Sequence, residues 1–269
     1  MTHQIADPFD AFLRHITLSD SEKATALERG RRLSRRLEQR PEVRECLITG
    51  SMVRSTAIRK FSDVDIVAVI ESSNQLSRIN SAALVTTVAN ILRETESDVQ
   101  VSENAVRVMY PDGVTVDVLG AIHAGINSTA DDVYRIPSSD RKGWATYAPE
   151  EQNRRIREAA ASLGDNFKKL IRLCKWWSKT HGQPASSYEI EIAAHESFRT
   201  EIPELPLAII ELFNSIKRSV DIDSPKMSAL LESREIAEEA YSSWQTGDVQ
   251  KSIELWGRLF GEQYPNFIT

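Results

Sequence analysis

Apolar positions along the chain follow two rhythms, and the change from one to the other falls near Pro149. Before it, short apolar runs alternate with helical spacing. The stretch up to Arg40 sets Leu27, Leu33 and Leu37 on one side of a helix whose N-cap is Ser19 or Asp20. Beyond Pro41, residues 46–49 form a short apolar strand, Gly50-Ser51 opens a short helical turn, and Val64–Ile70 is a second strand. Helical spacing returns over 74–95 through Leu76, Ile79, Leu84, Val88, Ile91 and Leu92. Residues 105–110 and 114–119 are then β-rich and flank Pro111-Asp112-Gly113, a turn signal for a hairpin. In the second of these strands Val114, Val116 and Val118 share one face, which leaves Thr115 and Asp117 on the other.

After Pro149 the pattern is almost wholly helical, with breaks near Gly182-Gln183-Pro184, Ile202-Pro203, Ser224-Pro225 and Gly247-Asp248. Over 151–180 the residues Ile156, Ala160, Leu163, Phe167, Leu170, Cys174 and Trp177 recur at steps of four and three, which predicts one long buried helix. The chain therefore divides into an α/β part over 1–150, including the N-terminal helix, and a helical part over 151–269.

Composition narrows the class. A chain of 269 residues with 41% hydrophobic and 27% charged residues has enough apolar side chains for a real core. Its longest apolar runs fall far short of the roughly 20 residues that a membrane helix requires, so no bilayer span is expected. The start MTHQIADPFD has neither a basic segment nor an apolar stretch before a cleavage site. That is no secretory signal, and the default location is the cytoplasm. Cys46 and Cys174 lie inside apolar patterns and read as reduced core residues rather than a disulfide framework. A net charge of -6 argues against a surface devoted to nucleic acid. The five histidines are scattered, so any metal should prefer oxygen ligands.

Two basic rows complicate that picture. Arg29, Arg31, Arg32, Arg35, Arg36 and Arg40 crowd the first helix among Glu22, Glu28 and Glu38, as a solvated face or as a nucleic-acid or partner surface. Lys168, Arg172, Lys175 and Lys179 form a second row, either a solvated face or a phosphate grip.

Chemistry concentrates between Thr49 and Asp117. Gly50 permits a tight turn, and Ser51 opens a helix whose free N–H groups favour a phosphate. Asp63 and Asp65, two apart at the start of a strand, project to one face, where their carboxylates can grip a hard divalent cation together. Asp117, on the polar side of its hairpin strand, supplies a third carboxylate. Three such groups can hold two Mg²⁺ ions, one on a triphosphate and the other on an attacking hydroxyl. Arg54 and Thr56 are expected to brace the phosphate turn.

The segment from Thr49 through Ile58, followed by Ser62-Asp63-Val64-Asp65-Ile66-Val67, resembles the signature of the nucleotidyltransferase superfamily that includes DNA polymerase β. A second block narrows this. Tyr134-Arg135-Ile136-Pro137, Gly143-Trp144, Pro149, the run Leu170-Ile171-Arg172-Leu173-Cys174-Lys175-Trp176-Trp177 and Ser186-Ser187-Tyr188-Glu189-Ile190-Glu191 resemble the cGAS/DncV-like nucleotidyltransferases. These enzymes make cyclic dinucleotide or oligonucleotide second messengers in CBASS anti-phage defence.

The resemblance spans about residues 44–195. It implies an α+β fold, a polymerase β-like core with a mixed sheet plus a helical lobe, bilobed with a central cleft. It also implies two Mg²⁺ ions, with Mn²⁺ as a substitute, on Asp63, Asp65 and Asp117, and catalysis by those residues. Gly50 and Ser51 would cradle the triphosphate of a nucleoside triphosphate, ATP foremost, with UTP and GTP as further candidates. Lys175 and Ser187 would contact that triphosphate from the helical side, Tyr188 would stack on a base, and Asn166 would read the base edge. Animal relatives need double-stranded nucleic acid; the charge here implies none as an obligatory activator, and leaves constitutive activity or a regulatory protein partner. The alternatives are transfer to an antibiotic, a tRNA 3′ end or a protein, and a silent nucleotide-binding regulator.

Overall fold

The computed structural model describes residues 6–71, 80–138, 143–217 and 225–265. They fold as two compact units, one built around a sheet and one helical. The sheet unit comprises Ser19–Ser55 and Ser62–Arg155; the helical unit comprises Met1–Leu18, Thr56–Phe61 and Ile156–Thr269. This grouping differs from a division at residue 150, since the sheet unit runs on to Arg155. The helix α1 (Ala6–Ile16) and the short segment after Ser55 belong with the helical unit. Phe9 and Phe12 explain the first assignment, because they join Trp256, Phe260 and Tyr264 in an aromatic cluster with ring centroids 5.1–6.0 Å apart.

In the sheet unit, α2 (Asp20–Leu37) starts at Ser19, whose hydroxyl accepts from the Glu22 amide while Glu22 accepts from the Ser19 amide. This reciprocal cap satisfies two amides that a helix start leaves free. Strand β1 (Val43–Thr49), the short helix α3 (Gly50–Arg54), β2 (Val64–Ile70), α4 (Ser81–Arg93), β3 (Val99–Val101), β4 (Val106–Met109), β5 (Thr115–Ile126), β6 (Asp132–Pro137) and β7 (Trp144–Tyr147) follow. Leu76 and Ile79, expected in the helix before β3, lie outside the described residues; Asn80 caps α4 by accepting from the Ala83 amide.

The strand order is β1-β2-β5-β4-β3, with β6 and β7 added along the second half of β5. Among the described residues only β2 and β5 pair in parallel, so the sheet is mixed. One face buries Val64, Ile66, Val106, Val108, Val116 and Val118. On the other, Val67, Val69, Ala121 and Tyr134 form a small second core. The period-two alternation around the Pro-Asp-Gly turn reads correctly for this reason.

The arginines of α2 and the residues just beyond it find acids nearby. Arg29 reaches Asp112 in the β4–β5 turn at 2.8 Å, Arg36 reaches Glu96 at 2.6 Å, Arg40 reaches Glu94 at 2.8 Å, and Arg35 reaches Glu28 at 3.0 Å. The Arg29 and Arg36 pairs tie α2 to the β4–β5 turn and to the segment after α4, whereas Arg35 pairs along α2 itself. Cys46 in β1 is half-buried, and burial, reinforced by Glu38 and Glu45, pushes its thiol up to about 12. Burial likewise raises Cys174.

The helical unit adds α5 (Pro149–Leu163), most of which it contains, α6 (Asn166–Thr180), α7 (Ser187–Ser197), α8 (Leu205–Lys217), α9 (Pro225–Gln245) and α10 (Val249–Phe260). The single long helix expected over 151–180 is two helices. Gly164 takes φ +80°, a left-handed conformation that ends α5 as helices commonly end. The apolar stripe runs on across the break, since Leu163 and Phe167 are both in the same core. That is why periodicity alone missed it. No helix among the described residues is long and apolar enough to cross a membrane.

Inside this unit Lys175 is only 2% exposed, and its ammonium donates to Glu191 on α7 at 2.6 Å and to the Thr56 hydroxyl at 3.0 Å. Thr56 also donates to Glu191 at 2.7 Å. Removing one partner of such a pair leaves a charge buried without its counterion. Lys175→Met should therefore lower unfolding stability by about 3–5 kcal/mol, and the double variant Lys175→Met with Glu191→Leu should recover most of it. Urea denaturation of both variants checks this; equal losses in the single and double variants would contradict it.

Candidate active site

The acidic residues meet because of strand register. Thr49 pairs with Asp65 across β1 and β2, Asp65 pairs with Asp117 across β2 and β5, and Asp117 pairs with Arg107 across β5 and β4. These four residues lie in one row across four strands. Paired residues project to the same side, so the row shares a face, and Asp63 and Thr115 join it one pleat earlier. The opposite face carries the buried valines, which fixes the register, since a one-residue slip would turn both sets over.

Arg107 is the residue that the sequence reading missed. Its Nε donates to Asp117 Oδ1 at 2.8 Å, and its Nη2 donates to Asp117 Oδ2 at 2.8 Å and to Asp63 Oδ2 at 2.6 Å. The hydrogen bonding to Asp117 raises the guanidinium pKa well above its ordinary value; burial opposes the rise, and the charges of Asp117, Asp63 and Asp65 add to it. Thr115 donates its hydroxyl to Asp63 Oδ1. The signal for Arg107 was present. The Tyr110 amide donates to Val114 O at 2.9 Å, closing the turn. Counting outward from there sets Met109 beside Thr115 and Arg107 beside Asp117.

Gly50 presses the phosphate-turn candidate against the same row. It opens α3 at φ +80°, and a Cβ there would lie 1.7 Å from Asp65 Oδ2. Ser51 follows in the first turn of α3, whose N-cap Thr49 makes no side-chain cap. Ser55 ends α3 in a left-handed conformation and accepts from Lys23 Nζ at 2.8 Å. Arg54 donates to Asn153 at 3.2 Å, so it braces this turn within the sheet unit. Thr56 does not, because it is bound up with Lys175 and Glu191.

Among the described residues, no group of three or more His, Cys, Asp and Glu side chains is gathered to hold a metal ion. Two of the three aspartates, Asp63 and Asp117, are instead drawn to one guanidinium, that of Arg107. The donor set still suits a hard divalent ion. Its members are carboxylates on one face, and two of them already close on a positive charge.

The residues expected from the helical side are differently placed. Lys175, expected at a triphosphate, is buried and paired with Glu191, so the basic row along α6 turns inward at its centre. Tyr188 is 57% exposed and lines a surface cavity between α7 and α8 with Glu189, Glu196 and Glu211. The ring is free to stack, whereas three glutamates oppose a phosphate there. Ser187 follows Ser186, whose hydroxyl accepts from the Glu189 amide to cap α7. Asn166 opens α6 and donates its amide to Pro203 O at 3.3 Å.

The family model for the Second Messenger Oligonucleotide or Dinucleotide Synthetase domain matches residues 1–159. Among solved structures, E. coli MS115-1 CdnC with ATP is 16% identical, with a TM-score of 0.81 over 97% of this chain and 98% of that one. The same protein in a complex with HORMA-deltaN gives 0.76 at 16% identity, over 97% of this chain and 98% of that one. CdnG of Bradyrhizobium diazoefficiens in complex with GTP is 14% identical, with a TM-score of 0.75 over 98% of this chain and 96% of that one. These likenesses show the fold. Comparison with curated proteins gives no sequence match.

Gly50→Ala tests how tightly the turn and the row are joined. The added methyl should displace the Asp65 carboxylate and strain the backbone, costing about 1 kcal/mol or more of stability. A displacement of about 1 Å at a reacting centre can cost roughly a hundredfold in rate. Turnover should therefore fall by at least an order of magnitude in the folded variant. Undiminished turnover would mean that Asp65 does not depend on the turn.

Proposed function

The chain belongs to the Second Messenger Oligonucleotide or Dinucleotide Synthetase family and is a nucleotidyltransferase; from that premise we propose that it joins nucleoside triphosphates into a cyclic di- or oligonucleotide and releases pyrophosphate. The product is a second messenger for anti-phage signalling. The observation that carries this reading is the register row that sets Asp65 beside Asp117, with Asp63 on the same face. These are the groups such a transfer needs, in the part of the chain that the family model covers.

Asp63, Asp65 and Asp117 would hold Mg²⁺, with Mn²⁺ as a substitute. Divalent ions held there would offset triphosphate charge and make a ribose hydroxyl a stronger nucleophile. The chain's own residues do the rest. Gly50 lets the backbone approach closely, and the first-turn amides beside Ser51 receive the phosphates. Asp117 orients the attacking hydroxyl and takes part of its proton. Each bond made joins a ribose oxygen to an α-phosphorus and expels pyrophosphate. Closure repeats the step within the linear product. Tyr188 stacks on a base, as an aromatic ring does with little preference among bases.

The ATP in the CdnC structure and the GTP in the CdnG structure support nucleoside triphosphates as substrates, and the HORMA complex of CdnC supports a regulatory protein partner. Arg29, Arg35 and Arg36 of α2 and Arg40 just beyond it are engaged with acids of their own unit, which favours activation without nucleic acid. This chemistry sits in the cytoplasm, with its free nucleoside triphosphates.

Incubation of the purified protein with the four triphosphates and Mg²⁺, followed by mass spectrometry, tests the reading. A phosphatase-resistant cyclic product with matching pyrophosphate is expected. Asp117→Asn should slow its formation roughly a thousandfold, the scale of losing several kcal/mol of transition-state stabilisation. Label transferred only to an added acceptor, or triphosphate bound and unchanged, would overturn the assignment.

A further inference from the structure

Arg107 does more than fill a place in the sheet. Its three donated hydrogen bonds take both oxygens of Asp117 and one oxygen of Asp63. Thr115 takes the remaining Asp63 oxygen. A carboxylate oxygen that faces a guanidinium at 2.6–2.8 Å cannot at the same time put that lone pair on a divalent ion, and two cations on one short carboxylate face repel. The guanidinium and a divalent ion therefore compete for the same carboxylate face.

We propose that Arg107 is an internal counter-cation that closes the metal seat in the nucleotide-free enzyme and must withdraw for a divalent ion to enter. The inference rests on the assignment of Asp63, Asp65 and Asp117 as the metal-holding set. Three observations support it. By formal charge, the single positive charge of Arg107 stands against the two carboxylates that it bridges, Asp63 and Asp117, so a divalent ion gains more from the same oxygens. The Arg107 side chain is 41% exposed, so its release does not require the core to open. Its outer register partner is Gln100, an exposed residue on the edge strand β3, so the guanidinium has a solvent-open side toward which to move. The plug also holds the aspartates together before the ion arrives, since like charges side by side on adjacent strands repel. Entry of a nucleotide-bound ion would then be favoured over a bare one, because the triphosphate adds ligands that help to displace the arginine.

Titration of Mn²⁺ into the nucleotide-free full chain, with unbound Mn²⁺ followed by electron paramagnetic resonance, reads this directly. Arg107→Gln should bind Mn²⁺ at least tenfold more tightly than the unaltered protein. Arg107→Lys, which keeps the charge but cannot bridge two carboxylates in the same planar way, should fall between. Circular dichroism and thermal unfolding establish that each variant is folded; if Arg107→Gln is not, the Arg107→Lys comparison decides. Equal or weaker Mn²⁺ binding by the folded variants would overturn the proposal and leave Arg107 as a brace for the aspartates. A further Asp63→Asn change in the Arg107→Gln background separates the two ideas. Loss of Mn²⁺ binding there supports the metal seat, whereas binding that survives it would overturn the seat itself, whatever Arg107 does.

Discussion

Asp65 and Asp117 stand side by side across the parallel strands β2 and β5, with Asp63 a pleat away on the same face. Neighbouring carboxylates repel, so this arrangement persists only with positive charge among them. The rest of the sheet unit answers to that constraint. The valines on the reverse face lock the register, Gly50 lets the phosphate turn come against Asp65, and the β4–β5 hairpin delivers Arg107 opposite Asp117. A site that is attractive to a cation is thereby also attractive to the protein's own arginine.

Much of this could be read from the amino-acid sequence, because it depends on alternation and on short-range turns. The paired aspartates, the valine face and the Pro-Asp-Gly turn are local patterns; the segment around Gly50-Ser51 and Asp63-Val64-Asp65 gave the superfamily, and the blocks between Tyr134 and Glu191 narrowed it to the family. The reading faltered where a long-range partner decides the role of a residue. Lys175 sits on a helix in a row of basic residues and looks available. Nothing within a few turns of it reveals that Glu191 and Thr56 enclose its ammonium. The break at Gly164 was hidden for a related reason, since the core stripe keeps its rhythm through the change of helix. The grouping of α1 with the helical unit depends on aromatic contacts across more than two hundred positions, which no local pattern encodes.

The two units thus divide the work differently from the sequence reading. The sheet unit gathers the acids and the phosphate turn. The helical unit spends its most buried lysine on its own stability and leaves Tyr188 as its exposed aromatic contact. Buried ion pairs of that kind are costly to break, whereas the half-exposed contacts of Arg107 can exchange. Lys175 is enclosed at 2% exposure, whereas the Arg107 side chain is 41% exposed.

Anomalous diffraction from crystals grown with Mn²⁺ and a non-hydrolysable ATP analogue tests this most directly. Manganese peaks bounded by Asp63, Asp65 and Asp117, with the Arg107 guanidinium no longer within hydrogen-bonding distance of Asp117, are the expected result. Manganese bound elsewhere, or bound there while Arg107 still bridges Asp63 and Asp117, would contradict it.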